Sequence, residues 1–361
     1  MKKTNIIYTK DSLKKFKGRG TDKNPVNRFE KLEYVREQIE NYEEEKRPAT
    51  QFLKDTSKSI ITYNESPDTP GDASINAYRG CEHGCIYCYA RPSHEYLSFS
   101  AGLDFETKIL VKPEAPELLR KELSKKNWKP QALMMSGNTD PYQLIEKELK
   151  LTRGCLEVLR DFRNPVGIVT KNALVTRDID LLKELAEYNA VSVLISITTL
   201  DNKLATLMEP RTSKPHIRLE TINKLNDAGI PTGVNIAPVI PGMTDSEIPE
   251  ILKQSAEAGA KFAGYIMLRL PHGVKELFLT WLEEYFPDRK QKVENRLKEL
   301  FGGKMYKAEF FVRGRGEGVY AEQVESMFKI ACRKYRLNEE RVELSTASFR
   351  NPGKKQLNLF D

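Results

Sequence analysis

Cys81, Cys85 and Cys88 stand in the stretch Arg79-Gly-Cys-Glu-His-Gly-Cys-Ile-Tyr-Cys-Tyr-Ala90, a C-x3-C-x2-C spacing. The chain has five cysteines in 361 residues, so three of them share one short loop. Thiolates this close suit a metal. Three soft sulfur ligands with no fourth nearby suit an iron–sulfur cluster with one open iron, where a small molecule can bind and react. A disulfide framework is disfavoured, because the count is odd, the chain is long and no secretory signal is read ahead of it. Structural zinc is the rival reading, with His83 or His94 as fourth ligand, although the second ligand pair usual in such sites does not follow downstream.

A loop of this kind needs a scaffold, and the sequence supplies one. Short apolar runs at Ala132–Met135, Val166–Thr170, Val191–Thr198, Pro231–Pro238 and Phe262–Leu268 alternate with amphipathic helical stretches. Those stretches include Glu146–Arg163, Arg177–Tyr188, Ile217–Ala228 and Ile248–Ala258. Near-continuous apolar strands separated by helices predict a parallel sheet covered on both faces. A first strand around Ser74–Tyr78 brings the α/β chain to about six βα units. In such folds chemistry gathers at the carboxyl ends of the strands. The polar residues expected there are Ser136, Gly137, Asn138, Asp140 and Tyr142 after the second strand and Lys171 after the third. Ser196 and Thr198, on one face of the fourth, come next, followed by Arg211. Pro238 closes the fifth and Arg269 the sixth.

The remaining composition is that of a globular protein, with 39% hydrophobic and 30% charged residues. No apolar run is long enough to span a bilayer, so a cytoplasmic protein without membrane association is expected. The net charge is +7, and residues 1–28 carry nine Lys/Arg against two Asp, which reads as a flexible basic arm. A helix is expected over 29–46, and the turn cluster Asn64–Gly71 marks the start of the main domain. The expected division is 1–63 arm and helix, 64–285 core, 286–350 helical extension and 351–361 tail. The Gly/Lys/Arg-rich segment Gly302–Gly318 reads as a basic loop fit to meet phosphates. A helix over Ala321–Tyr335 and a strand near Arg341–Ser345 follow it. Cys155 and Cys332 occupy apolar helical positions and read as small buried hydrophobes.

The C-x3-C-x-aromatic-C string, with Tyr87 as the aromatic, resembles the signature of the radical SAM superfamily. The longer string Asn76-Ala-Tyr-Arg-Gly-Cys…Cys-Tyr-Ala resembles its spore photoproduct lyase-like branch (DNA repair photolyase-like), over a similarity running from about Gly18 to beyond Arg333. The resemblance implies a partial (β/α)6 TIM-like barrel with an N-terminal basic arm and a C-terminal helical extension. It implies that Cys81, Cys85 and Cys88 hold a [4Fe–4S] cluster. S-adenosylmethionine (SAM) would chelate the open iron and be split reductively to a 5′-deoxyadenosyl radical. Tyr87, Ser136, Gly137, Asn138, Asp140, Ser196, Thr198, Arg211 and Pro238 become candidates for holding SAM, and Tyr142, Lys171 and Arg269 for catalysis. The branch points to nucleic acid as substrate and DNA repair as setting, though its separate hydrogen-donating cysteine has no counterpart at Cys155 or Cys332. Radical chemistry on RNA or protein, and a non-enzymatic zinc-stabilised module at DNA, are the alternatives. An electron donor such as flavodoxin or ferredoxin is implied. The tail residues Gln356, Leu357, Leu359 and Phe360 resemble the bacterial sliding-clamp-binding motif, which would place the protein at DNA independently.

Overall fold

The computed structural model describes residues 18–29, 48–68, 71–340 and 342–353. Strands β1 (Gln51–Lys54), β2 (Ile61–Tyr63), β3 (Ala73–Ile75) and β4 (Tyr78–Arg79) precede the cysteine loop. After it come α1 (Leu103–Thr107), β5 (Lys108–Val111), α2 (Ala115–Leu123) and β6 (Leu133–Met135). Next are α3 (Glu146–Leu149), α4 (Leu151–Phe162), β7 (Val166–Thr170), α5 (Ile179–Ala186) and β8 (Val191–Ser196). Then follow α6 (Asn202–Met208), α7 (Pro215–Asp227), β9 (Thr232–Val239), α8 (Ile248–Glu257) and β10 (Phe262–Met267). The chain closes with α9 (Gly273–Tyr285), α10 (Pro287–Leu300) and α11 (Gly318–Lys334).

The apolar runs become one seven-stranded sheet of order β10-β9-β8-β7-β6-β3-β2. Every pairing from β3 to β10 is parallel, and only β2 runs antiparallel, against β3. Sequential parallel neighbours joined by helices give the parallel α/β sheet that the periodicity predicts. The helices cover the sheet with apolar stripes. In α4, Cys155, Leu156, Val158, Leu159 and Phe162 are all buried, so Cys155 packs as a core residue. Cys332 does the same in α11. Helix α11 lies against α8 and α10.

Three local expectations differ from the structure. The strand expected over Ser74–Tyr78 divides: β3 stays in the large sheet, whereas β4 turns away to pair antiparallel with β5 in a second sheet of order β1-β5-β4. That turn lifts the chain off the barrel edge and carries the cysteine loop. Residues 18–28 are not a loose arm. The backbone N–H of Leu103 donates to Lys23 O at 2.9 Å, and the buried Asn27 side chain donates to Glu95 O at 2.9 Å. Two of the basic side chains are held as well, with Arg28 Nε 2.8 Å from Glu95 and Arg19 Nη1 donating to Glu106 O at 2.8 Å. Residues 342–345 form no strand; Ser345 N donates to Asn189 O instead, at 2.9 Å, and lays the segment across the α5–β8 corner. Beyond Phe29, the helix expected over 29–46 lies outside the described residues. So do residues 1–17 of the basic stretch and the tail residues Gln356, Leu357, Leu359 and Phe360.

Candidate active site around the cysteine loop

The cysteine loop is clamped from four sides, and each clamp has a reason in the sequence. From the α1 side, Cys81 N donates to Phe105 O at 3.0 Å. From the β6 side, Thr139 Oγ1 donates to Gly80 O at 2.6 Å, and Ile145 N donates to Glu82 Oε2 at 2.9 Å. From the end of α6 and the segment after it, Met208 O accepts from Ile86 N at 2.9 Å and Arg211 N donates to His83 O at 3.3 Å. From the N-terminal segment, Gly20 passes so near that a Cβ on it would stand 1.8 Å from Gly84 O. Gly80 and Gly84 take φ of +80° and +67°, left-handed values that glycine adopts without steric cost.

Beneath the loop lies a fully buried ion pair, Arg91 to Glu106 at 2.5 Å. Arg91 also donates to the carbonyls of Cys85 at 3.0 Å and Gly102 at 2.9 Å. A buried guanidinium paired with a carboxylate and held by three carbonyls is compensated and rigid. Neither residue was singled out from the sequence.

Cys81 and Cys85 are buried and Cys88 is half-buried. Burial pushes the Cys85 thiol well up, and Glu209 adds to the rise while Lys171 opposes it. Burial likewise raises Cys88, reinforced by Cys81. The three sulfurs therefore feel one another, and a bound cation would stabilise their thiolates. Both ring nitrogens of His83 and the Nε2 of His94 have polar neighbours, while the buried His94 Nδ1 has no hydrogen-bond partner among the described residues. His94 Nε2 meets Lys108 O at 2.9 Å, and burial holds its pKa down at about 4. His83 lies between Asp140 at 3.4 Å and Asn172 at 3.3 Å. Burial works against its protonation, but Cys81 and Asp140 outweigh this and raise it to about 10. Among the described residues no three His, Cys, Asp or Glu side chains converge on one ion. Three thiolates and no fourth protein ligand form a donor set that fits a [4Fe–4S] cluster with an open iron.

Around the sulfurs, the strand ends contribute as follows. Tyr87 OH donates to Glu209 Oε2 at 2.8 Å and lies 3.2 Å from Thr198 Oγ1. Glu209 Oε1 accepts from Arg218 at 3.2 Å. Arg218 further donates to the carbonyls of Ser196 at 2.9 Å and Ser213 at 2.7 Å and to Thr212 Oγ1 at 2.6 Å. Burial alone would raise Glu209, yet Arg218 and Lys171 hold its pKa below the usual carboxylate range. Thr198 Oγ1 donates to Ala237 O at 3.1 Å, and Lys171 Nζ reaches the same carbonyl at 2.9 Å. Lys171 thus leans from β7 across to β9, 6.0 Å above the Tyr87 ring and one residue from Pro238.

Asp140 is committed within the protein. It accepts from Tyr142 N at 2.9 Å, Thr170 Oγ1 at 2.6 Å and Lys171 N at 2.8 Å. Ser136, Gly137 and Asn138 form a lip beside it; Gly137 has φ +114° and open space where a Cβ would stand. Arg211 Nη1 stands 3.7 Å from Glu82. Arg269 stacks over Tyr89 at 4.7 Å on the β10 side. Tyr142 is wholly buried among Asp178, Glu146 and Arg177, away from the strand-end lip.

The structure therefore brings together the three cysteines, Tyr87, Lys171, Thr198, Asp140 and Pro238 near the end of β9, and it leaves Tyr142 behind them. Glu209 and Arg218 were missed as site residues. Arg218 carried a readable signal, because it sits in register with buried Ile222 and Leu225 on α7. A charge on an apolar helical stripe asks for a buried partner.

The family model of the radical SAM superfamily matches residues 75–254, the span from β3 through α8. This chain belongs to the radical SAM superfamily, whose cofactors are a [4Fe–4S] cluster and SAM. An uncharacterized protein of Mycobacterium tuberculosis is 37% identical over 230 residues, covering 63% of this chain and 66% of that protein. The chain thus spans about two thirds of the length of this mycobacterial relative. An uncharacterized protein of Acidianus two-tailed virus is 31% identical, covering 63% of this chain and 73% of its own. Among solved structures, spore photoproduct lyase complexed with dinucleoside spore photoproduct aligns with TM-score 0.55 and 17% identity over 79% of each chain. A mutant of that enzyme with bound AdoMet and dinucleoside spore photoproduct gives 0.54 and 17%, over 79% of this chain and 78% of that one. At these identities the likeness is one of fold. No helix among the described residues is long and apolar enough to cross a membrane.

Proposed function

We propose that this chain is a radical SAM enzyme acting on nucleic acid, in a DNA-repair-like role in the cytoplasm. Its cluster is held by Cys81, Cys85 and Cys88. When bound, the cluster supplies the electron that cleaves SAM to methionine and a 5′-deoxyadenosyl radical. The observation that carries this reading is the clamped loop of three thiols at the strand ends, with both ring nitrogens of His83 turned to Asp140 and Asn172.

The chain's own residues then divide the work. The Ser136–Asn138 lip, open above Gly137, receives the SAM amino group. Lys171, a cation beside Cys85 and Cys88, faces the SAM carboxylate, and Arg211 supports it from the loop's flank. Tyr87 and Pro238 border the adenine, with Thr198 and Ser196 on the ribose side. Asp140 orients His83 and the Lys171 backbone rather than touching SAM. Arg269 faces substrate from the β10 side. Tyr142 acts from beneath the site through packing. An electron donor of flavodoxin or ferredoxin type reduces the cluster. The tail residues Gln356, Leu357, Leu359 and Phe360 dock to a sliding clamp, a reading that rests on the sequence pattern alone.

The test is anaerobic purification with iron and sulfide counted, the visible spectrum recorded and 5′-deoxyadenosine measured after adding SAM and dithionite. The expected result is a brown protein with about four irons that makes 5′-deoxyadenosine, and a Cys85→Ala variant that loses both. A colourless protein holding one zinc would overturn the proposal.

A further inference from the structure

Among the described residues the large sheet is open: β10 ends one edge and β2 the other, with no pairing between them. Residues 310–315 run from one edge to the other. Gly314 O accepts from Met267 N, at the end of β10, at 2.9 Å. Asp68, in the β2–β3 connection, accepts from Phe311 N at 3.1 Å and from Arg313 Nε at 2.8 Å. A second Arg313 nitrogen completes a bidentate pair with it.

This strap turns two large rings outward. Phe310 is 49% exposed and Phe311 is 64% exposed. Scattered exposed apolar residues need no explanation, but Phe311 holds φ +64°. A bulky side chain avoids that region, and such strain persists only where the surroundings enforce it, commonly at functional positions. Here Asp68 enforces it by gripping Phe311 N and Arg313 together. The Arg313 guanidinium lies 4.9 Å over the Phe310 ring. Residues 302–318 carry four cations (Lys304, Lys307, Arg313, Arg315) against two carboxylates (Glu309, Glu317), and Lys304 and Arg315 are exposed. The surface continues toward the cysteines: two residues beyond Met267, Arg269 covers Tyr89, which follows Cys88 and is 45% exposed.

We propose that the 310–315 strap is a binding surface for single-stranded nucleic acid, on which unpaired bases stack against Phe310 and Phe311 while Lys304 and Arg315 meet the phosphates. Aromatic faces interleaved with cations accept any base, and a strand lying on the strap is led by Arg269 and Tyr89 toward the cysteine loop. The inference rests on nucleic acid being the substrate class.

The test is fluorescence anisotropy of a labelled single-stranded oligodeoxynucleotide with the full-length holoprotein, compared with Phe310→Ala and Phe311→Gly. Glycine relieves the left-handed strain, so the Phe311→Gly melting temperature should hold or rise while affinity falls about tenfold. The dependence of binding on salt should stay unchanged, because the phosphate contacts remain. Two variants that bind like the wild type, or a duplex that competes as well as the single strand, would overturn the surface and leave the substrate class standing. A wild-type protein that binds no oligonucleotide would overturn both, and 5′-deoxyadenosine formation in the same preparation would show separately that the SAM chemistry survives.

Discussion

At the scale of single residues, the site depends on buried charges that are worth most in pairs. Arg218 is 1% exposed and is the partner that keeps Glu209 ionised beneath Tyr87. Removing one member of a buried pair strands the other, so Arg218→Met is expected to lower stability by about 3–5 kcal/mol. Urea denaturation of the apoprotein measures this, and a midpoint equal to that of the wild type would refute the coupling. His94 gives a pH signature. Burial, set only in part against its hydrogen bond to Lys108 O, lowers its pKa from 6.5 to about 4. Above pH 6.5 the ring is neutral in both states and its full contribution is present. As the pH falls from 6.5 to about 4, the unfolded chain takes up a proton that the native protein refuses, so stability drops by about 3 kcal/mol. Below that window the loss levels off. The His94→Gln apoprotein should show a flatter decline between pH 7 and 4.5, and an unchanged slope would move the titration to another group.

At the scale of elements, the cysteine loop is positioned by backbone approach as much as by side chains. Gly20 lies against Gly84, where a Cβ would come within 1.8 Å of the carbonyl oxygen, and its N–H donates to Glu106 at 2.9 Å. Gly20→Ala must push the N-terminal segment off the loop, at a cost of about 1–3 kcal/mol. Bound iron per chain should fall while the far-ultraviolet circular dichroism stays that of the wild type. Full iron loading in that variant would show that this contact does not position the cysteines. The parallel strands β6 to β10 and the helices α4, α5, α7 and α8 were readable because each is a continuous run of one hydrophobic period, whereas the short α1 and α6, which clamp the loop, were not. β4 was not, because two residues are too few for a period and its partner β5 comes after the loop.

At the scale of the whole molecule, the clamp docking proposed for the tail and the chemistry proposed for the barrel can be tested apart. A pull-down with the bacterial sliding clamp, comparing the full chain with Leu359→Ala and Phe360→Ala, should retain the wild type and release both variants. Equal capture of all three would end the docking proposal and leave the barrel chemistry untouched.

The sequence by itself determined the alternation of parallel strands and helices from β6 to β10, the loop that carries the three thiols and the family. Each of these is written in local spacing: period two or 3.6 in the apolar residues, and C-x3-C-x2-C in the ligands. Only the tertiary structure decided which polar residues are free to meet a ligand. Asp140, expected from the sequence at the cofactor, accepts hydrogen bonds from Tyr142 N, Thr170 Oγ1 and Lys171 N. Arg218, ordinary in sequence, became the buried counter-charge of Glu209. Residues 18–28, basic and glycine-rich, became a brace because Asn27 and Lys23 find partners some 70 to 80 residues away. A hydrogen-bonding group has no fixed partner in sequence, and burial by the rest of the chain decides whether it meets solvent, ligand or another part of the protein.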